Sequence, residues 1–411
     1  STMEMITETR QTPVGGTFDV IVCGGGPAGS AAAICAARAG ASVLLLEQQN
    51  CLGGMWTAGF VDPLFDAANK GGLLAELIRD LDARGAWGGF IGSSFHYEYM
   101  KSLLEEKCLA AGVTLRYEVR TVAVLQDGCR VTGVVTEDLE GRLAWRAKVV
   151  IDATGDAAVA AAAGAAFDVG DPDTHECQAM TLMFLVGNIP EKYRDGLMMR
   201  DVLAAAYRKE GLGRRAVFDN PYLIPVPGGQ FGVVQLTHMR GVSPLSAAER
   251  TQATVEGRRQ MIEVVELLRR FDPDFADLVL LQSAPMLGVR ESRRIRGEYT
   301  LTAKDLQNGT QFSDGICTVT FNVDIHDEKR QGQTACDVAP YQIPYRCLIP
   351  QGLEGLLVAG KAISGTHWAM ASYRVTGDCC AMGEAAGRAA AYAAAHGVPV
   401  RAVPDEIVRE N

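Results

Sequence analysis

The feature that most constrains this 411-residue chain is a glycine-rich turn near its N-terminus. Residues 17–23 (TFDVIVC) form a short β-branched run that predicts a buried strand, and residues 24–29 (GGGPAG) follow it directly. An alanine-rich stretch over about 30–39 predicts a helix, and residues 42–46 (SVLLL) predict a second buried strand that ends at Glu47. Such a βαβ unit is typical of a parallel sheet, so the sequence predicts an α/β fold.

The spacing Gly24-x-Gly26-x-x-Gly29 predicts a dinucleotide-binding site. The first glycine permits a sharp turn, the second lets a pyrophosphate approach the backbone, and the third lets the helix pack close to the strand. The N–H groups of the helix N-terminus would face the phosphates, and Glu47 would accept hydrogen bonds from an adenosine ribose. A glycine turn alone can be purely structural, but the βαβ frame and Glu47 favour binding. The predicted contacts are Gly24, Gly26, Pro27, Ala28, Gly29, Glu47 and Gln48.

Later segments favour FAD over NAD. A double glycine in residues 51–59 (CLGGMWTAG) suits a chain that passes close to a long dinucleotide, and residues 150–156 (VIDATGD) form a second strand-to-glycine turn. Residues 356–360 (LLVAG) lead through a loop to an alanine-rich helix over about 376–396, whose positive end could stabilise negative charge on a reduced flavin. These segments predict noncovalent FAD with further contacts at Gly53, Gly54, Met55, Trp56, Val119, Ala153, Thr154, Gly155, Gly360 and Val375.

These motifs occur in a recognisable order with residues 288–295 (GVRESRRI), 324–326 (DIH), 343–346 (IPYR) and 356–374. Together they resemble the FAD-dependent oxidoreductase family, which is distantly related to fumarate reductase and thiazole synthase flavoproteins. The resemblance spans about residues 18–395 and implies an FAD-dependent enzyme with a glutathione-reductase-type FAD fold. The sequence departs from the family pattern at two positions: Lys361 stands where the family usually has arginine, and Gly355 where asparagine is common.

The expected architecture is a Rossmann-type FAD-binding domain with a parallel sheet and an inserted α+β substrate domain. The sequence predicts a flexible tail at 1–16, an FAD-binding domain formed by 17–165 and 341–411, and a substrate domain at 166–340. The middle of the chain contains one long amphipathic helix, over about 247–271. It contains no second glycine-turn βαβ unit, which argues against the NAD(P)H domain of a pyridine-nucleotide reductase.

Two histidines are the candidate catalytic bases. Asp324 and His326 would lie on the same face of a strand, where the carboxylate could orient the imidazole. His367 lies within residues 364–373, which are expected to form a loop beside the flavin ring. The alternatives are a partly exposed strand-end histidine and a histidine that caps a turn.

Two arginines, Arg290 and Arg374, are the candidates for holding an anionic or carbonyl oxygen, because a guanidinium binds such a group at two points. Arg290 could instead form a buried network with Glu291 and Arg293 that joins the domains. The neighbouring Arg294 and Arg296 are expected on a solvated face. No metal site is predicted, because the cysteines and histidines lack the spacing of a zinc site.

Composition restricts the partners. The net charge of −10 disfavours nucleic acid as a partner, and the longest uncharged run contains a glycine turn, which argues against a membrane span. The 11 scattered cysteines favour free thiols in a reducing compartment, so a cytoplasmic protein is expected, and a homo-oligomer is compatible with the sequence.

The leading hypothesis is a dehydrogenase or oxidase that takes hydride from a small polar substrate onto flavin N5. The substrate would be anionic or carry a hydroxyl or carbonyl group, and the electron acceptor is not defined by the sequence. One alternative is a flavin-dependent reductase of an activated double bond, supplied by an external donor. The other is a protein that holds FAD or NAD without redox turnover, resembling thiazole synthase.

Overall fold

The computed structural model describes residues 2–211, 220–327, 332–336 and 338–409, and two larger sheets organise them. The strands are β1 (Val14–Cys23), β2 (Val43–Glu47), β3 (Thr114–Tyr117), β4 (Arg120–Asp127), β5 (Arg130–Asp138), β6 (Gly141–Asp152), β7 (Phe167–Val169), β8 (Phe184–Gly187), β9 (Leu197–Met198), β10 (Tyr222–Pro225), β11 (Phe231–Gln235), β12 (Val279–Ser283), β13 (Arg293–Ile295), β14 (Gly315–Val319), β15 (Val323–Asp327), β16 (Gly332–Cys336), β17 (Tyr341–Pro344) and β18 (Leu356–Val358). The α-helices are α1 (Pro27–Arg38), α2 (Gly72–Ala83), α3 (Tyr97–Ala110), α4 (Ala158–Ala162), α5 (Arg200–Glu210), α6 (Ala247–Phe271), α7 (Ala303–Asn308), α8 (His367–Tyr373), α9 (Thr376–His396) and α10 (Asp405–Val408).

The larger sheet has seven strands in the order β3-β2-β1-β6-β5-β4, and β18 also pairs with β6. The pairs β1–β2, β2–β3, β1–β6 and β6–β18 are parallel, whereas β5 runs antiparallel to its neighbours. All of β2 and the last four residues of β1 are buried, as expected for parallel strands covered on both faces. The prediction of an α/β Rossmann-type fold is therefore confirmed.

Helices α1 and α9, which come from the two ends of the chain, pack against each other and cover one face of this sheet. The contact is close enough to require glycine. A Cβ atom at Gly383 would lie 2.0 Å from the carbonyl oxygen of Ala28, and one at Gly387 would lie 2.4 Å from that of Ala32. The small side chains of both helices allow this approach, so the last long helix lies directly on the helix that follows the glycine turn.

The second sheet is antiparallel, with five strands in the order β12-β8-β11-β10-β9. Alternate side chains of β8 and β11 pack against α5 and α6 on one face, and the other face contacts Phe60 and Met180. Residues 295–325 contribute instead to the core of the larger sheet, through Ile295, Leu301 and Ile316.

Three local expectations were wrong. The first strand begins at Val14, inside the segment expected to be a tail, because Val14 pairs with Ala144 of β6. Helix α1 begins at Pro27 instead of Ser30, since proline suits the first helical position. The expected loop over 364–373 contains α8, which begins at His367 because the Thr366 side chain caps it by accepting a hydrogen bond from the Ala369 N–H.

Candidate functional site

The glycine turn lies at the carboxyl edge of the parallel strands. Gly24 has φ +96°, and a Cβ atom there would lie 2.4 Å from the carbonyl oxygen of Ala153. The Gly24 N–H donates to the Leu46 carbonyl at 2.8 Å, and the Ala153 N–H donates to that of Cys23 at 2.8 Å. The turn is therefore held between the ends of β2 and β6, where only glycine fits at its first position.

A second pair of glycines lies beside the turn. The Gly53 N–H donates to the Gly25 carbonyl at 2.8 Å, and the nearest atom to a Cβ built at Gly26 is the Gly54 Cα, 3.9 Å away. Helix α1 starts at this point with no side-chain cap. Its N–H groups and the two bare glycine backbones form a cradle that fits the pyrophosphate of a dinucleotide.

Glu47 is buried at the end of β2. Its Oε1 accepts from the Gly25 N–H at 2.9 Å and its Oε2 from the Gln49 N–H at 2.6 Å, while burial raises its pKa. A carboxylate can accept about four hydrogen bonds, so ribose hydroxyls fit its other positions. The Val119 N–H donates to the Glu47 carbonyl at 3.2 Å, which brings Val119 to the same strand end; Gln48 is the neighbour of Glu47 in the chain.

The loop after β6 completes this edge. The buried Asp152 carboxylate accepts hydrogen bonds from the N–H and hydroxyl of Thr154 and from the N–H groups of Val159 and Ala160, and burial raises its pKa. The ammonium of Lys361 lies 2.7 Å from the position of a Cβ built at Gly155. The structure thus brings together, around the cradle, Ala153, Thr154, Gly155 and Gly360.

Three other predicted FAD contacts have different surroundings. Trp56 is fully buried and packs edge-on against Phe95, with ring centroids 6.3 Å apart, so it belongs to the core. The Met55 methyl group lies 3.4 Å from the position of a Cβ built at Gly288, which joins the second glycine loop to the arginine-rich segment. Val375 directly precedes α9.

The first candidate base, His326, lies buried in β15. Its Nε2 is 3.3 Å from Asp324 Oδ1, and Asp324 Oδ2 is 3.5 Å from the Nη2 of Arg374. Burial lowers the pKa of His326 to about 4, and the positive charge of Arg290 acts in the same direction. Burial would raise the pKa of Asp324, but a hydrogen bond from protonated His326 and the charge of Arg374 lower it overall.

The second candidate base, His367, is bonded to a buried carboxylate. Its Nδ1 lies 2.8 Å from Glu291 Oε1, which also accepts from Arg294 Nη1 at 2.8 Å. Arg294 is itself buried and donates to the carbonyls of Gly365 and Gly170. The expectation that Arg294 lies on a solvated face was therefore wrong, because a carboxylate and two carbonyls replace its water.

Gln178 links the two histidines. Its N–H donates to Glu291 Oε2 at 3.2 Å, and its Oε1 accepts from the N–H of His326 at 3.2 Å. Arg290 donates to the Ala179 carbonyl at 2.6 Å, and the Ala179 N–H donates to the His326 carbonyl at 2.6 Å. The structure therefore brings the four sequence-predicted catalytic residues into one network: His326, His367, Arg290 and Arg374.

This network has a local excess of positive charge. It contains three guanidinium groups, those of Arg290, Arg294 and Arg374, and two carboxylates, those of Glu291 and Asp324. Arg293 precedes Arg294 in the chain, and its Nη1 donates to the Asp156 carbonyl at 3.2 Å, in the loop after β6 that borders the cradle. A chain with a net charge of −10 thus presents a cationic region next to its cofactor loop.

Residues 19–411 match the family described as FAD dependent oxidoreductase. The chain belongs to this family. The family resemblance in the sequence is confirmed, FAD is the cofactor, and the protein is a flavoenzyme.

Individual relatives of this FAD dependent oxidoreductase match over shorter segments. It is similar to a thiamine thiazole synthase of Aeropyrum pernix, with 36% identity over 158 residues, which cover 34% of this chain and 56% of that protein. It is also similar to digeranylgeranylglycerophospholipid reductase 1 of Methanopyrus kandleri, with 32% identity over 154 residues, or 34% of this chain and 40% of that protein. The matched segments thus span about half the length of these relatives.

Solved structures support the fold. The flavin-dependent brominase Bmp2 superposes with a TM-score of 0.51 at 16% identity, covering 94% of this chain and 81% of the other. The p-nitrophenol 4-monooxygenase PnpA of Pseudomonas putida gives a TM-score of 0.51 at 14% identity, covering 96% and 84%. At these identities the similarity shows a common fold and nothing finer.

Within the described residues, no helix combines the length and apolar character needed to cross a membrane. The same part of the chain has no group of three metal-ligating side chains. The ten cysteines whose side chains the structure describes are free thiols.

Two members of the network, Gln178 and His238, were not predicted. Gln178 lies in an irregular segment before β8, and His238 lies in a segment (THMR) after β11. Neither segment has a motif, and both contact His326 only because β15 folds back over them, 148 and 88 residues away in the chain. No local sequence signal indicates a contact of that kind.

Proposed function

We propose that this flavoenzyme oxidises a small polar organic molecule that carries a hydroxyl group and an anionic group. The observation that carries the proposal is the buried pair of His326 and Asp324 within a cluster where guanidinium groups outnumber carboxylates. The imidazole of His326 is neutral at pH 7 and therefore has a lone pair that can accept a proton, and the local positive charge favours an anion.

In this proposal each side chain has one role. His326 accepts the proton of the substrate hydroxyl, and Arg290 or Arg374 holds the anionic group or the developing carbonyl oxygen. His367 is the alternative base, since its contact with Glu291 is the base-and-orienting-carboxylate arrangement of general-base catalysis. When bound, FAD supplies the two-electron acceptor for the hydride.

We also propose that residues 166–340 form the substrate domain, part of which, residues 295–325, packs into the core of the larger sheet. The gaps in this range lie outside the described residues. The antiparallel sheet has its own apolar core, and the arginine-rich segment reaches the FAD cradle through Arg293. Free thiols fit a reducing, cytoplasmic setting, in which a quinone, O2 or a protein would accept the electrons.

Anaerobic flavin reduction tests the proposal. The holoenzyme is mixed with a panel of small hydroxy acids and with their neutral amides, and loss of the visible flavin absorbance is followed. We expect reduction by acids and much slower reduction by amides. His326→Gln should lower the rate by about 100- to 10,000-fold, the usual contribution of a general base. The exposed His396→Gln serves as the matched control. Equal rates for the His326 variant and the wild type would contradict the assignment.

A reductase acting in the opposite direction is the second candidate. The observation in its favour is the similarity, over about a third of the chain, to a protein named as a reductase. The same assay is run with pre-reduced enzyme and compounds that carry an activated double bond, where reoxidation of the flavin without O2 would identify this activity. If no compound oxidises or reduces the flavin, the result would favour a role without redox turnover, as in the thiazole-synthase alternative.

A further inference from the structure

His238 forms a buried pair with His326. The two rings stack with their centroids 5.2 Å apart at an angle of 22°, and His238 Nε2 lies 3.0 Å from His326 Nδ1. His238 follows β11 of the antiparallel sheet, so the pair joins that sheet to β15. Both side chains are almost completely removed from solvent.

A backbone carbonyl sets the direction of the hydrogen bonds in this pair. His238 Nδ1 lies 2.8 Å from the Leu236 carbonyl oxygen, which can only accept, so Nδ1 carries the hydrogen. In a neutral His238 the Nε2 atom is then an acceptor, and His326 Nδ1 must donate to it. In a neutral His326 the remaining Nε2 has a lone pair, and this atom lies 3.3 Å from Asp324 Oδ1.

Counting hydrogens identifies where another proton enters. Three contacts link four groups in a row: the Leu236 carbonyl, His238, His326 and Asp324. Each contact needs one hydrogen atom to become a hydrogen bond, whereas two neutral imidazoles carry only two N–H hydrogens. One additional proton completes the row, and His326 Nε2 is the atom that receives it. We propose that His238 and His326 form a single proton store that is loaded at His326 Nε2, with His238 as the positioning residue.

The surrounding charges keep this store empty at neutral pH. Arg290 and Arg374 face His326, Arg290 and Arg240 face His238, and Asp324 is the carboxylate at the loading atom. Burial and these guanidinium groups lower the pKa of both histidines. Asp324 acts in the opposite direction and stabilises the proton once it has been taken up.

Only the source of the proton rests on the proposed function. In the oxidation of an alcohol, His326 Nε2 would take the O–H proton as the C–O single bond becomes a carbonyl. FAD, which the glycine cradle and Glu47 would hold, would supply the acceptor for the C–H hydrogen and its two electrons. A reductase would use the same store in reverse, with the proton leaving Nε2. The hydrogen-bond directions in the pair are the same in both cases.

Nitrogen-15 NMR of the histidine-labelled holoenzyme tests the store without any substrate. The chain has six histidines, and His238→Gln, His238→Leu and His326→Gln assign the two rings. In the wild type we expect a protonated Nδ1 on both rings at neutral pH. On acidification we expect one proton uptake, with a common midpoint, that shifts the signals of both rings. A neutral His326 protonated at Nε2, or two separate midpoints, would overturn the proposal.

The two substitutions at His238 separate positioning from packing. His238→Gln retains an acceptor oxygen for His326 Nδ1 and should keep its tautomer, whereas His238→Leu removes the acceptor and should produce signal from a protonated Nε2. If both variants fold and give the same His326 tautomer as the wild type, the positioning role is refuted. His396→Gln, at the exposed end of α9, is the control and should leave both rings unchanged. Absence of flavin reduction with normal tautomers would refute the proposed oxidation and leave the proton store intact.

Discussion

Glu291 offers the sharpest test of how the buried network is held together. Its carboxylate accepts hydrogen bonds from Arg294, His367 and the N–H of Gln178, and its side chain is completely buried. Glu291→Gln keeps the shape but removes the negative charge. Because a carboxamide has only one acceptor oxygen, at least one of these donors must then face an NH2 group.

The expected loss of stability in Glu291→Gln follows from the burial of Arg294, whose side chain is 6% exposed. Removing one partner of a buried ion pair costs about 3–5 kcal/mol, because the other charge stays buried without compensation. The entropy of unfolding is about 2.1 cal/mol/K per residue, or about 0.9 kcal/mol/K for 411 residues. The melting temperature should therefore fall by about 3–6 °C.

The assay is thermal unfolding of the holoenzyme in saturating FAD, followed by circular dichroism. Asp168→Asn is the matched control, because Asp168 forms an exposed ion pair with Arg296 in the adjacent strand pair. Exposed pairs contribute about 0–1 kcal/mol, so the control should lower the melting temperature by about 1 °C or less. If Glu291→Gln and Asp168→Asn have equal effects, the network does not hold a buried charge and the reasoning fails.

Three further changes test the cofactor cradle and the titration of the site. Gly24→Ala should abolish FAD binding, because the added Cβ atom would collide with the Ala153 carbonyl; the measurement is the flavin retained after gel filtration. The control is Gly40→Ala, at a glycine that also has positive φ but has no atom near the added Cβ, and this variant should retain FAD. Equal retention of FAD by the two variants would contradict the steric argument. Glu47→Gln should weaken FAD binding by about 10- to 100-fold in calorimetric titration, since hydrogen bonds to a charged group are worth about 1.5–3 kcal/mol; unchanged affinity would exclude Glu47 as a ribose ligand. The pKa of His326 is lowered from 6.5 to about 4, so the unfolded chain binds this proton at a higher pH than the folded protein does. The free energy of unfolding should therefore fall by about 3 kcal/mol as the pH falls from about 6.5 to about 4. Urea unfolding of His326→Gln should show a weaker dependence of this free energy on pH, and an unchanged dependence would refute the reasoning.

The arrangement of the network also explains why Arg290 and Arg374 cannot be judged from their neighbours in the sequence. Arg290 contacts a carbonyl 111 residues away, and Arg374 binds the backbone and side chain of Asp324, 50 residues away. Within the segment from Arg290 to Arg296, Arg294 is buried and Arg296 is exposed, although they are only two residues apart. Which guanidinium groups lie in the interior depends on the carboxylates and carbonyls that other parts of the chain supply.

The sequence by itself determined the cradle. The turn at Gly24, the acidic residue at the end of β2 and the covering helix α1 lie within about 30 consecutive residues, so their geometry follows from local steric limits and strand and helix patterns. Only the tertiary structure decided the proton chemistry. The partners of His326 come from separate elements, and their burial and mutual charges, which set the pKa values and hydrogen-bond directions, exist only once the antiparallel sheet packs against β15. A linear pattern specifies which residues are adjacent along the chain, whereas desolvation depends on everything that surrounds them in space.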